Sequence, residues 1–197
     1  MTTTPRQFDG VIFDMDGTLT EPLLDFGAIR RELGIAPEAG ILEAVAAMPE
    51  GPRQRAQERL LEIELAAARD SRMTPGADRL LEALCRAGLK SALLTRNARE
   101  AMRIILERFG FRFDLAWSRE DGPIKPEPDG VRRACEALSI RPARTACVGD
   151  FQFDLVAANA AGACSILLDR RGDLPFAHLA RHVVASLDEL YPILGLD

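Results

Sequence analysis

Residues 8–20 read FDGVIFDMDGTLT, and this stretch decides the fold. Apolar and β-branched side chains dominate its first half, which indicates a short buried strand. Two aspartates, Asp14 and Asp16, and then Gly17 follow directly, so the strand ends in a polar turn. A chain that opens in this way and then alternates helices with strands usually builds a parallel sheet.

Regular alternation of helices and strands follows residue 75. Apolar runs predict strands at residues 91–95, 114–117, 145–149, 165–168 and 183–184. Apolar residues at helical spacing lie between these runs, and glycines such as Gly110 and Gly162 are expected to end the helices. The sequence therefore predicts an α/β fold with a doubly wound, Rossmann-like parallel sheet.

Residues 21–74 interrupt this alternation with helical patterns alone. The longest apolar stripe at helical spacing is formed by Ala56, Leu60, Ile63 and Ala67. Pro22 at one end and Pro75-Gly76 at the other are typical of joints. We therefore predict a core of residues 1–20 and 75–197, with a small all-α cap, residues 21–74, inserted after the first strand.

Composition narrows the classes of function. The chain has 197 residues and a net charge of -5, so it lacks the basic footprint expected of a nucleic-acid-binding protein. No apolar run approaches the ~20 residues that span a bilayer, and the N-terminal residues show no apolar leader. The four cysteines lack CxxC spacing and lie in apolar stretches, which predicts reduced core residues and a cytoplasmic location. The sequence leaves open whether the chain is a monomer or a homodimer.

Polar residues follow the predicted strands at the edge where doubly wound folds bind ligands. These residues are Asp14, Asp16 and Gly17 after the first strand, Thr95, Arg96 and Asn97 after the second, Lys125 before a later helix, and Asp150 and Asp154 after the strand at 145–149. Each has an ordinary explanation when taken singly, as a turn former, a helix cap or a surface lysine. Their joint occurrence at successive strand ends favours one polar site.

The grouped aspartates predict a metal-assisted reaction at phosphorus. Like charges ~4 Å apart repel by about 4 kcal/mol at an effective dielectric near 20, so the group needs a cation. Carboxylate oxygens suit Mg²⁺. Displacement at phosphate depends on positioning and on neutralising the phosphoryl oxygens, and the hydroxyl of Thr95, the ammonium of Lys125 and turn N–H groups suit that purpose. One carboxylate can attack phosphorus while another transfers protons.

At these residues the sequence resembles the haloacid dehalogenase superfamily of hydrolases, in its phosphoglycolate phosphatase-like branch with a short helical cap. The resemblance extends across the core and rests on four motifs in order: residues 14–20, Thr95, Lys125-Pro126, and Gly149-Asp150 with Asp154. It implies Mg²⁺-dependent hydrolysis of a small phosphorylated metabolite through an aspartyl-phosphate.

The resemblance also implies roles for individual residues. Asp14 would be the nucleophile, Asp16 the general acid and base, and Thr95 and Lys125 catalytic groups that hold the phosphoryl group. The implied magnesium ligands are Asp14, Asp16 through its backbone carbonyl, Asp150 and Asp154. The implied substrate-binding residues are Gly17, Thr95, Arg96, Asn97 and Lys125.

Single residues help to distinguish phosphate-ester hydrolysis from the other reactions of the superfamily. Asp16 favours phosphoryl transfer, because the haloacid dehalogenases that resemble this chain lack an aspartate two residues after the nucleophile. Residues 21–74 contain neither lysine nor histidine, which disfavours phosphonate hydrolysis through a Schiff base and phosphomutase chemistry gated by the cap. A phosphomutase, another phosphoryl transfer, and a non-catalytic binding module remain as alternatives.

Overall fold

The computed structural model describes residues 7–196, so the expectation about an N-terminal leader falls on residues 1–6, outside the described part. The described strands are β1 (Gly10–Phe13), β2 (Lys90–Leu94), β3 (Leu115–Trp117), β4 (Thr145–Gly149), β5 (Cys164–Leu168) and β6 (His182–Val184). They form one parallel sheet in the order β3-β2-β1-β4-β5-β6. Each predicted strand is present within two residues of its expected bounds.

Helices cover both faces of the sheet. The described α-helices are α1 (Phe26–Leu33), α2 (Ile41–Ala46), α3 (Glu50–Asp70), α4 (Ala77–Arg86), α5 (Arg99–Phe109), α6 (Asp129–Ala137), α7 (Gln152–Ala161) and α8 (Leu190–Leu194). Within β1, Val11 and Phe13 pack with α4 and α5, whereas Ile12 packs on the opposite side with α6 and α7. The central strand is therefore buried on both faces, which explains its continuous apolar run. This confirms the doubly wound α/β fold.

The segment between β1 and α4 holds α1, α2 and α3 around an apolar cluster of their own. Its two ends pair where they leave the sheet: Glu21 N donates to Arg72 O at 2.9 Å, and Thr74 N donates to Leu19 O at 2.9 Å. These contacts support the predicted boundaries of the cap at residues 21 and 74, which stay a prediction. The C-terminal part of α3 also packs against α5 of the sheet layer.

Of two expectations about side-chain packing, the one for α3 was incomplete and the one for the cysteines was wrong at Cys85. In α3, Ala56 and Leu60 are buried and Ile63 packs against their cluster, but Glu64 and Ala68 are also buried. Ala56 and Leu60 belong to the apolar cluster of the inserted helices, whereas Ala68 belongs to the apolar cluster that contains α5. Cys85 lies exposed near the end of α4, whereas the other three cysteines are buried, and all four are free thiols.

Within residues 7–196, each helix is too short or too polar to cross a bilayer.

Candidate active site

The carboxyl ends of β1, β2 and β4 meet at one edge of the sheet and bring the predicted residues together. Lys125 Nζ lies 2.6 Å from Asp14 Oδ1 and 2.6 Å from Asp154 Oδ1. All three side chains are at least 87% buried. A single ammonium therefore joins the aspartate that follows β1 to the aspartate on the first turn of α7.

The turn after β1 needs a glycine at position 17. Gly17 has a φ of 79°, in the region that L side chains rarely adopt. A Cβ at this position would also lie 1.9 Å from Asp150 Oδ2. The absence of a side chain thus lets the carboxylate that follows β4 approach the β1 turn closely.

Asp16 is held by the loop that follows β2. Asn97 Nδ2 donates to Asp16 Oδ2 at 3.0 Å, and Asn97 Oδ1 accepts from Ala98 N at 2.8 Å. Thr95 Oγ1 accepts from Asn97 N at 3.0 Å, which leaves its hydroxyl hydrogen to donate elsewhere. The loop therefore fixes Asp16 and presents a hydroxyl at the same edge of the sheet.

The acidic residues of the site have raised pKa values. Burial raises the pKa of Asp14 well above its usual range, against the opposing charge of Lys125. Burial, with the charge of Asp154, raises the pKa of Asp150 to about 7. Burial also raises the pKa of Asp16, although the Asn97 hydrogen bond opposes it. Burial lowers the pKa of Lys125, but its two carboxylate partners outweigh burial and hold it above the usual value.

The same group of acids suits a divalent cation. Asp14, Asp150 and Asp154 each offer one carboxylate oxygen, and these oxygens lie within 4.8 Å of one another. Their negative charge exceeds the single charge of Lys125, and all the donors are hard oxygens, which is the donor set that Mg²⁺ prefers. The residues therefore fit the predicted metal, while the predicted contact through the Asp16 carbonyl stays a prediction.

Arg96 lies in the wall of the site rather than at its acidic end. Its Nη2 donates to both carboxylate oxygens of Glu43 in α2, at 2.8 and 3.0 Å. Its Nη1 donates to the carbonyl oxygen of Lys125, and its guanidinium stacks over the ring of Phe153 with 4.7 Å to the centroid. Arg96 thus ties the β2 loop to the inserted helices, and its predicted contact with substrate stays a prediction.

Arg170 is a site residue that the sequence analysis missed. Its Nη1 donates to Gly17 O at 2.6 Å, and its Nη2 donates to Thr74 Oγ1 at 3.0 Å. Its charge also opposes the rise in the pKa of Asp150. Arg170 comes two residues after β5, so the rule that selected the other strand-end residues would have found it at the fifth strand.

Glu64 is a second residue that the sequence did not reveal. It lies in the buried stripe of α3, lines the cavity above the acids, and accepts from Arg119 Nη1 at 2.5 Å. Its other carboxylate oxygen has no hydrogen-bond partner among the described residues. Burial raises the pKa of Glu64, while the hydrogen bond and charge of Arg119 oppose that rise.

The Glu64–Arg119 pair yields a stability prediction. We expect Arg119→Leu to lower the free energy of unfolding at neutral pH by about 3 kcal/mol, because it leaves a buried carboxylate without its cation. The pKa of Glu64 in the folded variant should rise further above its unfolded value. Glu64 then binds a proton more tightly in the folded variant than in the unfolded chain. The difference in unfolding free energy between wild type and variant should therefore shrink as the pH falls through that pKa.

Urea unfolding of wild type and Arg119→Leu at several pH values measures this deficit. The double variant Arg119→Leu/Glu64→Leu is the control, since it removes the buried charge and should recover much of the loss. Equal unfolding free energies for wild type and Arg119→Leu at neutral pH would show that the pair does not stabilise the fold.

The chain is similar to known hydrolases in sequence and in fold. The family model for haloacid dehalogenase-like hydrolases matches residues 8–162. A haloacid dehalogenase-like hydrolase domain-containing protein of Arabidopsis thaliana is 34% identical over 183 residues, which cover 87% of this chain and 75% of that protein. A phosphoglycolate phosphatase of Rhodospirillum rubrum is 28% identical over 182 residues, covering 77% of this chain and 76% of its own length.

Among solved structures, a predicted phosphoglycolate phosphatase from Haemophilus somnus has the same fold. It superposes with a TM-score of 0.77 at 23% identity and covers 96% of this chain and 99% of its own.

Proposed function

The chain belongs to the haloacid dehalogenase-like hydrolase family, and on that premise we propose that it hydrolyses a small phosphomonoester in a Mg²⁺-dependent reaction through an aspartyl-phosphate on Asp14. The observation that carries the proposal is the Lys125 bridge between Asp14 and Asp154, at 2.6 Å to each. The bridge orients the Asp14 carboxylate while engaging one of its two oxygens, so the other oxygen is left for attack on phosphorus.

The first step forms a bond between an Asp14 oxygen and phosphorus and breaks the bond from phosphorus to the ester oxygen. Asp16, held by Asn97, protonates that oxygen as the alcohol leaves. The raised pKa of Asp16 favours the protonated form that this step needs. Lys125 and the Thr95 hydroxyl donate to the phosphoryl oxygens, whose charge the site must neutralise.

The second step returns the enzyme to its starting state. Asp16, now ionised, takes a proton from water, and the water oxygen attacks phosphorus of the aspartyl-phosphate. The bond from phosphorus to Asp14 breaks, and inorganic phosphate leaves. Mg²⁺, when held by Asp14, Asp150 and Asp154, would supply positive charge for the phosphoryl oxygens.

We expect phosphate release from a panel of phosphomonoesters to require Mg²⁺ and to fall to background with a chelator. Adding Mg²⁺ in excess of the chelator should restore the rate. Asp14→Asn purified by the same route is the control for contaminating phosphatases. Metal-independent release by wild type would contradict the proposed cofactor, and no release from any ester would favour the binding-module or phosphomutase alternatives.

The predicted partner, a small phosphorylated metabolite, and the predicted cytoplasmic location stay predictions. The choice between monomer and homodimer is likewise open.

A further inference from the structure

Within the proposed function, we infer that the preferred substrates are phosphomonoesters whose leaving group is an apolar alcohol the size of one ring, rather than a carboxylate-bearing alcohol such as glycolate. The inference rests on the proposed function and adds a substrate class to it. It follows from the lining of the cavity that adjoins the acidic residues.

The cavity has a volume of about 270 Å³. Its polar lining is concentrated in the strand-end residues, and much of the rest is apolar. The apolar lining includes Leu24, Phe26, Ile41, Leu42 and Leu60 from the inserted segment and Phe153 from α7. A cavity that is polar where phosphate would bind and apolar beyond it fits an ester with a charged head and an apolar body.

Two aromatic residues of the cavity lining are partly exposed to solvent. Phe26, the first residue of α1, is 49% exposed although it lines the cavity. Phe151, at the start of α7, is 40% exposed and lines the same cavity. Covering such side chains with an apolar ligand removes apolar surface from water, which favours binding.

One of the two arginines among the described lining residues, Arg96, is already engaged by the protein. A glycolate carboxylate, once removed from water, would need a cation or several donors. Arg96 donates to the Glu43 carboxylate and to the Lys125 carbonyl, and its face stacks on Phe153. Arg30, the other arginine among the described lining residues, donates from Nε to Ala39 O at 2.9 Å and forms no ion pair with a described residue. In the lining from the inserted segment, this one cation stands beside five apolar side chains and the acid Glu64, so an apolar ligand gains more contact there than a carboxylate does.

Glu64 also disfavours a carboxylate in the ligand. It is an acid in the cavity lining, and the arginine that pairs with it, Arg119, is already bound to this carboxylate of the protein. The cavity is large enough for such a ligand: at ~30 Å³ per water, its volume of about 270 Å³ equals about nine water volumes. A phosphoryl group with one six-membered ring is of this order.

The test compares benzyl phosphate, ethyl phosphate and 2-phosphoglycolate, all esters of alkyl alcohols, by kcat/KM with Mg²⁺. We expect kcat/KM for benzyl phosphate to exceed that of each of the others by about tenfold or more, the scale on which apolar groups are distinguished in such pockets. A kcat/KM for phosphoglycolate equal to or above that for benzyl phosphate overturns the inference and leaves the proposed function standing. If the enzyme hydrolyses none of these three esters and no ester of the wider panel, both the inference and the proposed function are overturned.

A pair of variants tests the wall itself. Phe26→Ser should lower the ratio of kcat/KM for benzyl to ethyl phosphate about tenfold. Leu23→Ser is the matched control, because Leu23 is 53% exposed and lies three residues away but outside the cavity lining, so the ratio should not change. Circular dichroism and thermal unfolding check that both variants fold. An unchanged ratio in a folded Phe26→Ser protein, or an equal fall in Leu23→Ser, contradicts the inference.

Discussion

Replacing Asp14 with asparagine should reduce turnover by roughly 10⁴-fold or more, the order seen when a covalent nucleophile is removed. A carboxamide of the same shape is a poor nucleophile at phosphorus, so the aspartyl-phosphate cannot form at a useful rate. We expect the variant to fold, because asparagine has the shape of aspartate and its side-chain oxygen can still accept a hydrogen bond from Lys125. Lys125 would also keep its second partner, Asp154, at 2.6 Å.

The measurement is kcat with Mg²⁺, together with urea unfolding of the same preparation. Asp129→Asn is the matched control, because Asp129 is an exposed aspartate at the start of α6 whose only ion pair within residues 7–196 is with its helix neighbour Arg132. It should keep full activity. A folded Asp14→Asn protein with near-normal Mg²⁺-dependent turnover would remove Asp14 from the role of nucleophile.

Replacing Asp16 with asparagine should lower kcat by about 10²–10⁴-fold for alkyl phosphates, the usual contribution of a positioned general acid or base. The loss should be smaller for p-nitrophenyl phosphate, whose leaving group departs without a proton. Asn97 holds Asp16 at 3.0 Å, and the same contact can hold an asparagine carbonyl. The active site should therefore keep its shape while it loses a proton donor.

The leaving-group comparison is the internal control for this prediction. Formation of the aspartyl-phosphate is followed as the alcohol released in a single turnover, for each ester with wild type and variant. An equal loss for the alkyl and nitrophenyl esters would indicate that Asp16 acts through structure or the metal site and does not protonate the leaving group.

Much of this site could be predicted from the sequence because parallel strands bring their carboxyl ends to one edge. Asp14 and Asp150 each directly follow a strand, and β1 and β4 are neighbours, so their closeness follows from topology alone. The need for glycine at position 17 also has a local signature, since the residue lies in a tight turn after a buried strand. The structure adds the reason, which is the approach of Asp150.

Sequence patterns did not predict the side-chain contacts between segments that are distant in the chain. Glu64 occupies a buried position of α3 because Arg119, 55 residues later, supplies its partner, and no helical pattern reveals such a pair. An acid among apolar residues is therefore assigned to the solvent-exposed face by default. The ion pair between Arg96 and Glu43 could not be predicted for the same reason, since it joins the loop after β2 to α2. One residue of each pair, Glu64 and Arg96, lines the cavity beside the acidic residues.

The most direct test of the covalent mechanism is the stereochemical course at phosphorus. Wild type would hydrolyse a phosphorothioate monoester whose phosphorus is made chiral by sulfur and two oxygen isotopes, in water of the third oxygen isotope, and the configuration of the released thiophosphate would be determined. Transfer to Asp14 followed by transfer to water comprises two displacements, each with inversion, so we expect net retention of configuration. Net inversion would mean that water attacks the ester directly, and it would contradict an aspartyl-phosphate on Asp14.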